Sequence, residues 1–315
     1  MKAEKKSYSL EEIKKPSFLI VGAMKCATTT LYDQLRLQNG VFMPDLKEPN
    51  FFSDDAQYYK GFDWYEDLFC NSSANEIIGE ASTHYTKLPT YPDTISRIKD
   101  YLGKPKIIYV MRNPIDRMVS QYVHEWSCGN INVPIDDAID LHPELINYSL
   151  FHYQLKPYLD ALGHERVLPV FFERLKREPQ VELERIAKFI GLDQRVEWKS
   201  DLPAKNISSE RIRNFPLYGL LVKNKAMEVL RRSLVPKKFR SMVKKKFQMK
   251  ARPELSKDSE SKIKNLFNSD LEKLGVELGV ELDLENYKET VSSRTLNWAD
   301  EEFTENKENV FANGL

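Results

Sequence analysis

The chain has 315 residues in which Lys plus Arg and Asp plus Glu balance at 47 each, so no global field steers it towards nucleic acid or a membrane surface. Its hydrophobic share of 41% and charged share of 30% are those of a globular protein, in one large α/β domain or two smaller ones. The three cysteines, Cys26, Cys70 and Cys128, form no Cys-x-x-Cys pair, which argues against a disulfide framework or zinc site and fits a reducing cytoplasm.

Residues 1–15 read as a charged, solvated lead-in without a signal-peptide core, and no apolar run reaches the length of a membrane span. The chain then enters Pro16-Ser-Phe-Leu-Ile-Val-Gly-Ala-Met-Lys-Cys-Ala-Thr-Thr-Thr-Leu31. Phe18 to Val21 are uncharged aromatic or aliphatic residues, the pattern of a buried strand in a parallel sheet. Gly22 permits a tight turn. From Thr28 the pattern becomes helical, with Leu31 and Leu35 apolar and Asp33, Gln34 and Arg36 polar. Free backbone N–H groups, the helix dipole, the Lys25 ammonium and the hydroxyls of Thr28, Thr29 and Thr30 make an anion cradle, suited to a nucleotide phosphate. A Walker A loop requires Gly-x-x-x-x-Gly-Lys-Ser/Thr. Here the register from Gly22 puts Ala27 at the second glycine and Thr28 at the lysine, so an ordinary ATP site is excluded. The plain alternative is a strand–turn–helix carrying an incidental lysine.

After the first helix, Pro44 and Pro49 mark Met43 to Ser53 as a loop, with Lys47 beside Glu48 and then Phe51-Phe52. A carboxylate beside a lysine, followed by anchoring aromatics, can hold a general base at a pocket mouth; from chemistry alone the simpler account is an exposed charged pair with two core anchors. Residues 57–69 are aromatic-rich, with a helix start near Asp63, and serve packing or an aromatic substrate wall. Asn75 to Glu80 reads as a strand running into Ser82-Thr83-His84. Strand ends face the ligand crevice in a doubly wound sheet, so these three are site candidates by position.

Ile107 to Met111 reads as another buried strand, with Arg112 at its carboxyl end and Pro114 in the first turn of the next helix. On that helix Ser120 can join Arg112 on one phosphate, the guanidinium supplying a fork of donors and the hydroxyl one more. A strand ending in arginine also lacks the aspartate of a Walker B magnesium site. The competing account is a local ion pair of Arg112 with Asp116. Further on, helices are expected over 136–147 and 148–162, a strand over 166–172, and an amphipathic helix from Pro179 to Ile190 closed by Gly191. Residues 200–215 read as a polar loop with Lys205, Asn206, Ser208 and Arg211. A basic cluster over 237–252, including Lys250 and Arg252, precedes a helix from about Ser256 to Gly275. The acidic stretch from Ser293 reads as a tail, anchored by Trp298 and Phe303.

Lys25 with Cys26, Ala27 and Thr28-Thr29-Thr30, followed by Arg112-Asn113-Pro114 with Ser120, resembles the 5′-phosphosulfate and 3′-phosphate motifs of sulfotransferases that use 3′-phosphoadenosine 5′-phosphosulfate (PAPS). Lys47-Glu48-Pro49-Asn50-Phe51-Phe52 is similar to a segment of the heparan-sulfate sulfotransferase branch whose glutamate is the general base. Trp64-Tyr65 and Gly79-Glu80 agree with that branch, and Arg166 to Leu175, Pro179 and Phe189 to Leu192 resemble the family's later strand and helix. Lys250-Ala-Arg252 resembles the family's late Lys-Gly-Arg phosphate loop. The resemblance implies a three-layer P-loop-like α/β fold, its central, mainly parallel sheet flanked by helices, in one domain over 16–292 with tails at 1–15 and 293–315. It implies PAPS as donor, no metal, and a hydroxyl or amine acceptor on a sugar or small molecule. By the same resemblance Lys25 stabilises the leaving 5′-phosphate, Arg112 and Ser120 hold the 3′-phosphate, and Glu48 is the base. His84 is the second candidate base, since a histidine plays that part in cytosolic small-molecule sulfotransferases. The chain departs from the family at Cys26-Ala27, where two glycines are usual. It departs again at Asn50 and Ser53, where glycan 3-O-sulfotransferases carry histidine and aspartate. A cytoplasmic enzyme without nucleic-acid or membrane partners is expected, with its oligomeric state open. A P-loop-type kinase or NTPase and a non-catalytic nucleotide-binding protein are the alternatives.

Overall fold

The computed structural model describes residues 14–202 and 251–299. Most of the expected polar loop over 200–215, Lys250 and most of the basic cluster lie outside the described residues.

Five strands form one sheet: β1 (Phe18–Gly22), β2 (Val41–Phe42), β3 (Ile77–Ala81), β4 (Lys106–Met111) and β5 (Val167–Phe171). Their order is β2-β3-β1-β4-β5, and every pairing is parallel. β1 and β5 are buried along their whole length, as strands covered by helices on both faces must be, which explains their unbroken apolar sequences. The order reverses at β1, which lies between β3 and β4. The carboxyl ends of these three strands therefore open the crevice where ligands bind in such sheets. Ile20 aligns with Ala81 and with Ile108, so the turns after β1, β3 and β4 emerge side by side.

Helix α1 (Thr28–Arg36) returns from β1; α2 (Asp55–Tyr58) and α3 (Phe62–Asp67) follow β2, and α4 (Thr94–Leu102) precedes β4. Helix α5 (Pro114–Cys128) begins as the Pro114 signal implies: Pro114 fills its first turn and the Asn113 side chain accepts the Asp116 N–H. The helix expected over 136–147 is interrupted at His142-Pro143, giving α6 (Ile135–Leu141) and α7 (Glu144–Asn147). Pro143 has no N–H to continue the ladder. Helix α8 (Phe151–Leu162) begins three residues later than the pattern implied. After β5 come α9 (Phe172–Arg177) and α10 (Pro179–Ile190), the latter closed by a left-handed Gly191 as expected. Ser256 caps α11 (Lys257–Leu278), one turn longer than expected, and α12 (Tyr287–Ser293) follows.

One buried apolar cluster runs from Phe18 to Leu296. Residues 293–299, read from sequence as the start of a tail, are pinned to the sheet. Leu296 is buried, the Trp298 indole donates to Val167 O at 2.6 Å, and Ala299 N donates to Glu277 O at 2.8 Å. Trp298 is the anchor the sequence named; Leu296 beside it went unnoticed in the acidic stretch. Gly79 on β3 admits no side chain, since a Cβ there would stand 2.1 Å from the Phe18 ring.

Candidate active site

The turn after β1 carries the expected lysine, and its backbone shape explains the cradle. Lys25 and Ala27 are left-handed, with φ of 74° and 67°. Such values are uncommon outside glycine and concentrate at functional turns. The Ala27 position is one where the family uses glycine, so this chain bears the conformation without the residue that suits it. Helix α1 starts at Thr28 with no side-chain cap, which leaves its first N–H groups directed at the turn. Thr28 is buried and Thr29 and Thr30 are half-buried at that start. Cys26 points into the core, where burial pushes its thiol up to about 12. It contributes backbone only.

From β4, Arg112 lies across this turn. Its Nη1 donates to the Lys25 carbonyl at 3.4 Å, and its guanidinium carbon stands 4.7 Å from the Phe172 ring centroid. The competing Arg112–Asp116 ion pair is not formed. Asp116 instead accepts from Arg252 and Lys288, each at 2.7 Å, which hold its carboxyl, against the cost of burial, below the usual range. Arg252 is thereby held at the start of α5. Ser120 is buried on the same helix. Glu173, whose carboxyl burial pushes up, accepts the Asn113 N–H at 2.9 Å and fixes the start of α5.

Arg117 is a site residue that the sequence did not single out. It is 0% exposed, its Nε donates to Met24 O at 3.1 Å and its Nη1 to Ser149 Oγ at 2.9 Å. The available signal was its helical spacing to Ser120 and Gln121, which puts all three on one face of α5.

On the other side of β1, Glu48 sits in a loop that doubles back on the end of β3. Glu48 and Asn50 flank Pro49 with φ of 60° and 53°, an unfavourable backbone for both. Two bonds hold it: Glu48 N to Ala81 O at 2.9 Å and Asn50 N to Ser82 Oγ at 3.0 Å. The Phe51 and Phe52 rings anchor the loop in the core, at 4.4 Å and 5.1 Å from the Tyr65 centroid. The Glu48 carboxylate accepts from Lys47 Nζ at 2.5 Å and from Thr83 Oγ1 at 2.9 Å. Burial alone would raise its pKa, but the lysine and the threonine outweigh that and hold it below the ordinary carboxylate value. His84 stacks on Tyr91 at 5.1 Å and its Nδ1 is buried without a partner. Burial, helped by Lys87, lowers it to about 4, so the ring is neutral at physiological pH. Beneath this loop lies Glu80, fully buried and accepting from the Tyr65 and Tyr85 hydroxyls at 2.7 and 2.9 Å.

The structure thus gathers Lys25 to Thr30, Arg112 and Arg252 on one side of the β1 end, and Glu48, Thr83 and His84 on the other. A doubly phosphorylated nucleotide fits the first side, where buried Arg112 Nε and Arg117 Nη2 have no hydrogen-bond partner. Among the described residues no His, Cys, Asp and Glu cluster could hold a metal ion. No described helix is long and apolar enough to cross a membrane.

A parallel sheet with an anion-binding turn at its switch point, a displaced lysine and an arginine on the neighbouring strand defines a nucleotide-binding protein of the P-loop-like class. Residues 15–275 match the family model described as Sulfotransferase domain, and the chain belongs to that family. It is 31% identical over 192 residues to mouse heparan sulfate glucosamine 3-O-sulfotransferase 3B1, covering 56% of this chain and 46% of that protein. It is 29% identical over 197 residues to human bifunctional heparan sulfate N-deacetylase/N-sulfotransferase 2, covering 56% of this chain and 22% of the other. The chain spans less than half the length of these curated relatives. Among solved structures, a sulfotransferase from Alicyclobacillus acidocaldarius superposes with a TM-score of 0.59 at 22% identity, over 90% of this chain and 100% of the other. A mouse sulfotransferase complexed with PAP superposes with a TM-score of 0.51 at 14% identity, over 88% and 90%. These two likenesses concern the fold. Family membership favours the sulfotransferase reading over the kinase, NTPase and non-catalytic alternatives.

Proposed function

We propose that the chain moves a sulfuryl group from PAPS to a hydroxyl or amine of a sugar or small-molecule acceptor, with Glu48 as general base. The observation that carries this is the contact of the Arg112 guanidinium with the Lys25 carbonyl. It joins the two phosphate motifs into one crevice beside the Glu48 loop.

PAPS supplies an activated sulfuryl group, and in-line transfer of such a group resembles phosphoryl transfer, where positioning and electrostatic stabilisation do most of the work. Lys25 and the first N–H groups of α1 offset the charge that grows on the 5′-phosphate side. Arg112, Ser120 and Arg252 hold the 3′-phosphate end and so set the reading frame along the nucleotide. Glu48 is ionised at neutral pH, and Thr83 orients its Oε2. To take the acceptor proton, Glu48 exchanges the Lys47 contact for the acceptor hydroxyl, the kind of tightening that accompanies substrate binding. His84 is the weaker candidate, because stacking and burial leave it a poor proton acceptor.

Replacing Glu48→Gln is expected to lower turnover by about 10²–10⁴-fold while affinity for 3′-phosphoadenosine 5′-phosphate (PAP) stays within about twofold. Unchanged turnover eliminates Glu48 and transfers the role to His84. Calorimetry of PAP against ADP, with and without magnesium, tests the donor: PAP should bind without metal, and magnesium-dependent ADP binding would restore the kinase reading. Two relatives are named for heparan sulfate chemistry. Asn50 and Ser53 stand where the glycan 3-O-enzymes differ, so a small-molecule acceptor is the narrower proposal, tested by comparing turnover on phenols, amines and amino sugars. A cytoplasmic setting belongs to the same proposal; exposed free thiols at Cys70 and Cys128 suit a reducing compartment, and cell fractionation tests it.

A further inference from the structure

A buried arginine persists where something supplies its counter-charge, because an isolated guanidinium loses its hydration on burial. Arg117 touches only neutral oxygens, those of Met24 and Ser149, and no described carboxylate pairs with it. Its Nη2 is buried without any hydrogen-bond partner. Another cation shares an aromatic neighbour with it. Lys87 Nζ lies 5.7 Å and Arg117 Cζ 5.9 Å from the centroid of the same Tyr148 ring. Burial first, and then the field of Arg117, draws Lys87 down to about 8. The two carboxylates whose fields reach this pair are engaged elsewhere: Glu48 by Lys47 at 2.5 Å, and Glu125 by the Asn130 amide at 2.7 Å. The oxygen that Arg117 does hold belongs to the turn between β1 and α1, one residue before Lys25.

We propose that Arg117 is a positioning residue for the 5′-phosphosulfate of the donor: it fixes the Met24 carbonyl, and the anion seated on the 23–30 turn completes its unpaired charge. The proposal rests on the reading of that turn as a PAPS site. Because the side chain is sealed even without nucleotide, it acts through the turn and through its field, and does not touch the ligand. A unit charge several ångströms away in a partly buried setting is worth about tenfold or more in anion affinity. The empty protein bears the cost of the unpaired cation, and the nucleotide relieves it.

The test separates the two ends of the nucleotide. PAP, adenosine 3′-monophosphate and adenosine 5′-monophosphate are titrated into the wild-type protein, Arg117→Met, Arg117→Gln and Arg117→Lys, and thermal midpoints are recorded without ligand. In the wild type, PAP against the 3′-monophosphate gives the gain from the 5′-phosphate, and PAP against the 5′-monophosphate gives the gain from the 3′-phosphate. Arg117→Met and Arg117→Gln should shrink the first gain by about tenfold or more, leave the second within about twofold, and keep or raise the ligand-free midpoint. Arg117→Lys should restore most of the first gain. Equal shrinkage of both gains, survival of the 5′-phosphate gain in the neutral variants, or failure of those variants to fold without nucleotide would each overturn the assignment. A wild-type protein to which neither phosphate adds affinity would overturn the donor-site reading, and Arg117 with it.

Discussion

Between residues 23 and 30 the backbone turns left-handed at Lys25 and Ala27, and between 47 and 53 it does so at Glu48 and Asn50. The two loops flank one strand end and use the same backbone device, yet their electrostatics differ. Behind the first stand Arg112 and Arg117, buried in part or in full, with polar atoms left unpartnered. In the second, Glu48 is matched by Lys47 and Thr83. The first loop is therefore incomplete until an anion arrives, whereas the second is satisfied at rest and must give up a partner to act. On the proposed function, the first loop is the donor side, completed by binding, and the second is the base side, freed by the acceptor.

The strongest way to break this contrast is to remove a cation from the donor side. Arg112→Ala should lose about 10²–10³-fold in PAP affinity, because it deletes a fork of charge-assisted donors in a water-poor site. Affinity for adenosine 5′-monophosphate should change far less, and calorimetry reads both. An equal loss for the two nucleotides would place Arg112 away from the 3′-phosphate.

A smaller effect sharpens the picture on the base side. Burial pushes the Glu80 carboxyl up to about 7, against the hydrogen bonds from its neighbours that favour its ionised form. Its folded pKa thus exceeds the unfolded one. The native state holds the extra proton between roughly 4.5 and 7, so stability falls as pH rises through that window. Glu80→Gln escapes this titration. Measured against the wild type, its stability should improve by on the order of 2–3 kcal/mol between pH 4.5 and 8. A flat difference in denaturation midpoint across that range would show Glu80 to be ionised and paired. Because the Tyr85 hydroxyl also accepts the Phe52 N–H at 3.4 Å, the variant should slightly weaken the base loop as well.

The smallest expected change is at Ala27→Gly. A left-handed alanine costs about 1–2 kcal/mol, and glycine returns about 0.5–1 kcal/mol of that as unfolded-state entropy. A rise of a few degrees in thermal midpoint with turnover preserved is expected; a fall would mean that the alanine methyl packs usefully.

Much of this arrangement was legible in the sequence because its signals are local. Phe18 to Val21 and Ile107 to Met111 read as buried strands without help from any partner. Pro114, Pro179 and Gly191 mark helix ends by fixed torsions. Arg112 and the Ser82 to His84 segment stand at strand ends, where a parallel sheet collects its ligands, and Lys25 follows in the turn after β1. What escaped notice depended on contacts between distant segments. Arg117 looks like one more polar residue on α5 until β1 brings Met24 onto it. Glu80 looks like a surface acid until Tyr65 and Tyr85 close over it. Trp298 was legible as an anchor of an acidic stretch, but its partner, the Val167 carbonyl, could not be inferred from the residues around it. The break at His142-Pro143 was visible in principle, since Pro143 announced it.

Cys26 has a practical consequence for chemistry at this turn. Its sulfur faces the core with its pKa near 12, so it carries almost no thiolate at neutral pH even though its own peptide unit helps line the nucleotide cradle. Maleimides and mild oxidants should attach at Cys70 and Cys128, on the outside of the molecule, and leave sulfuryl chemistry running. The same two positions offer ready handles for fluorophores that report on nucleotide capture without blocking it.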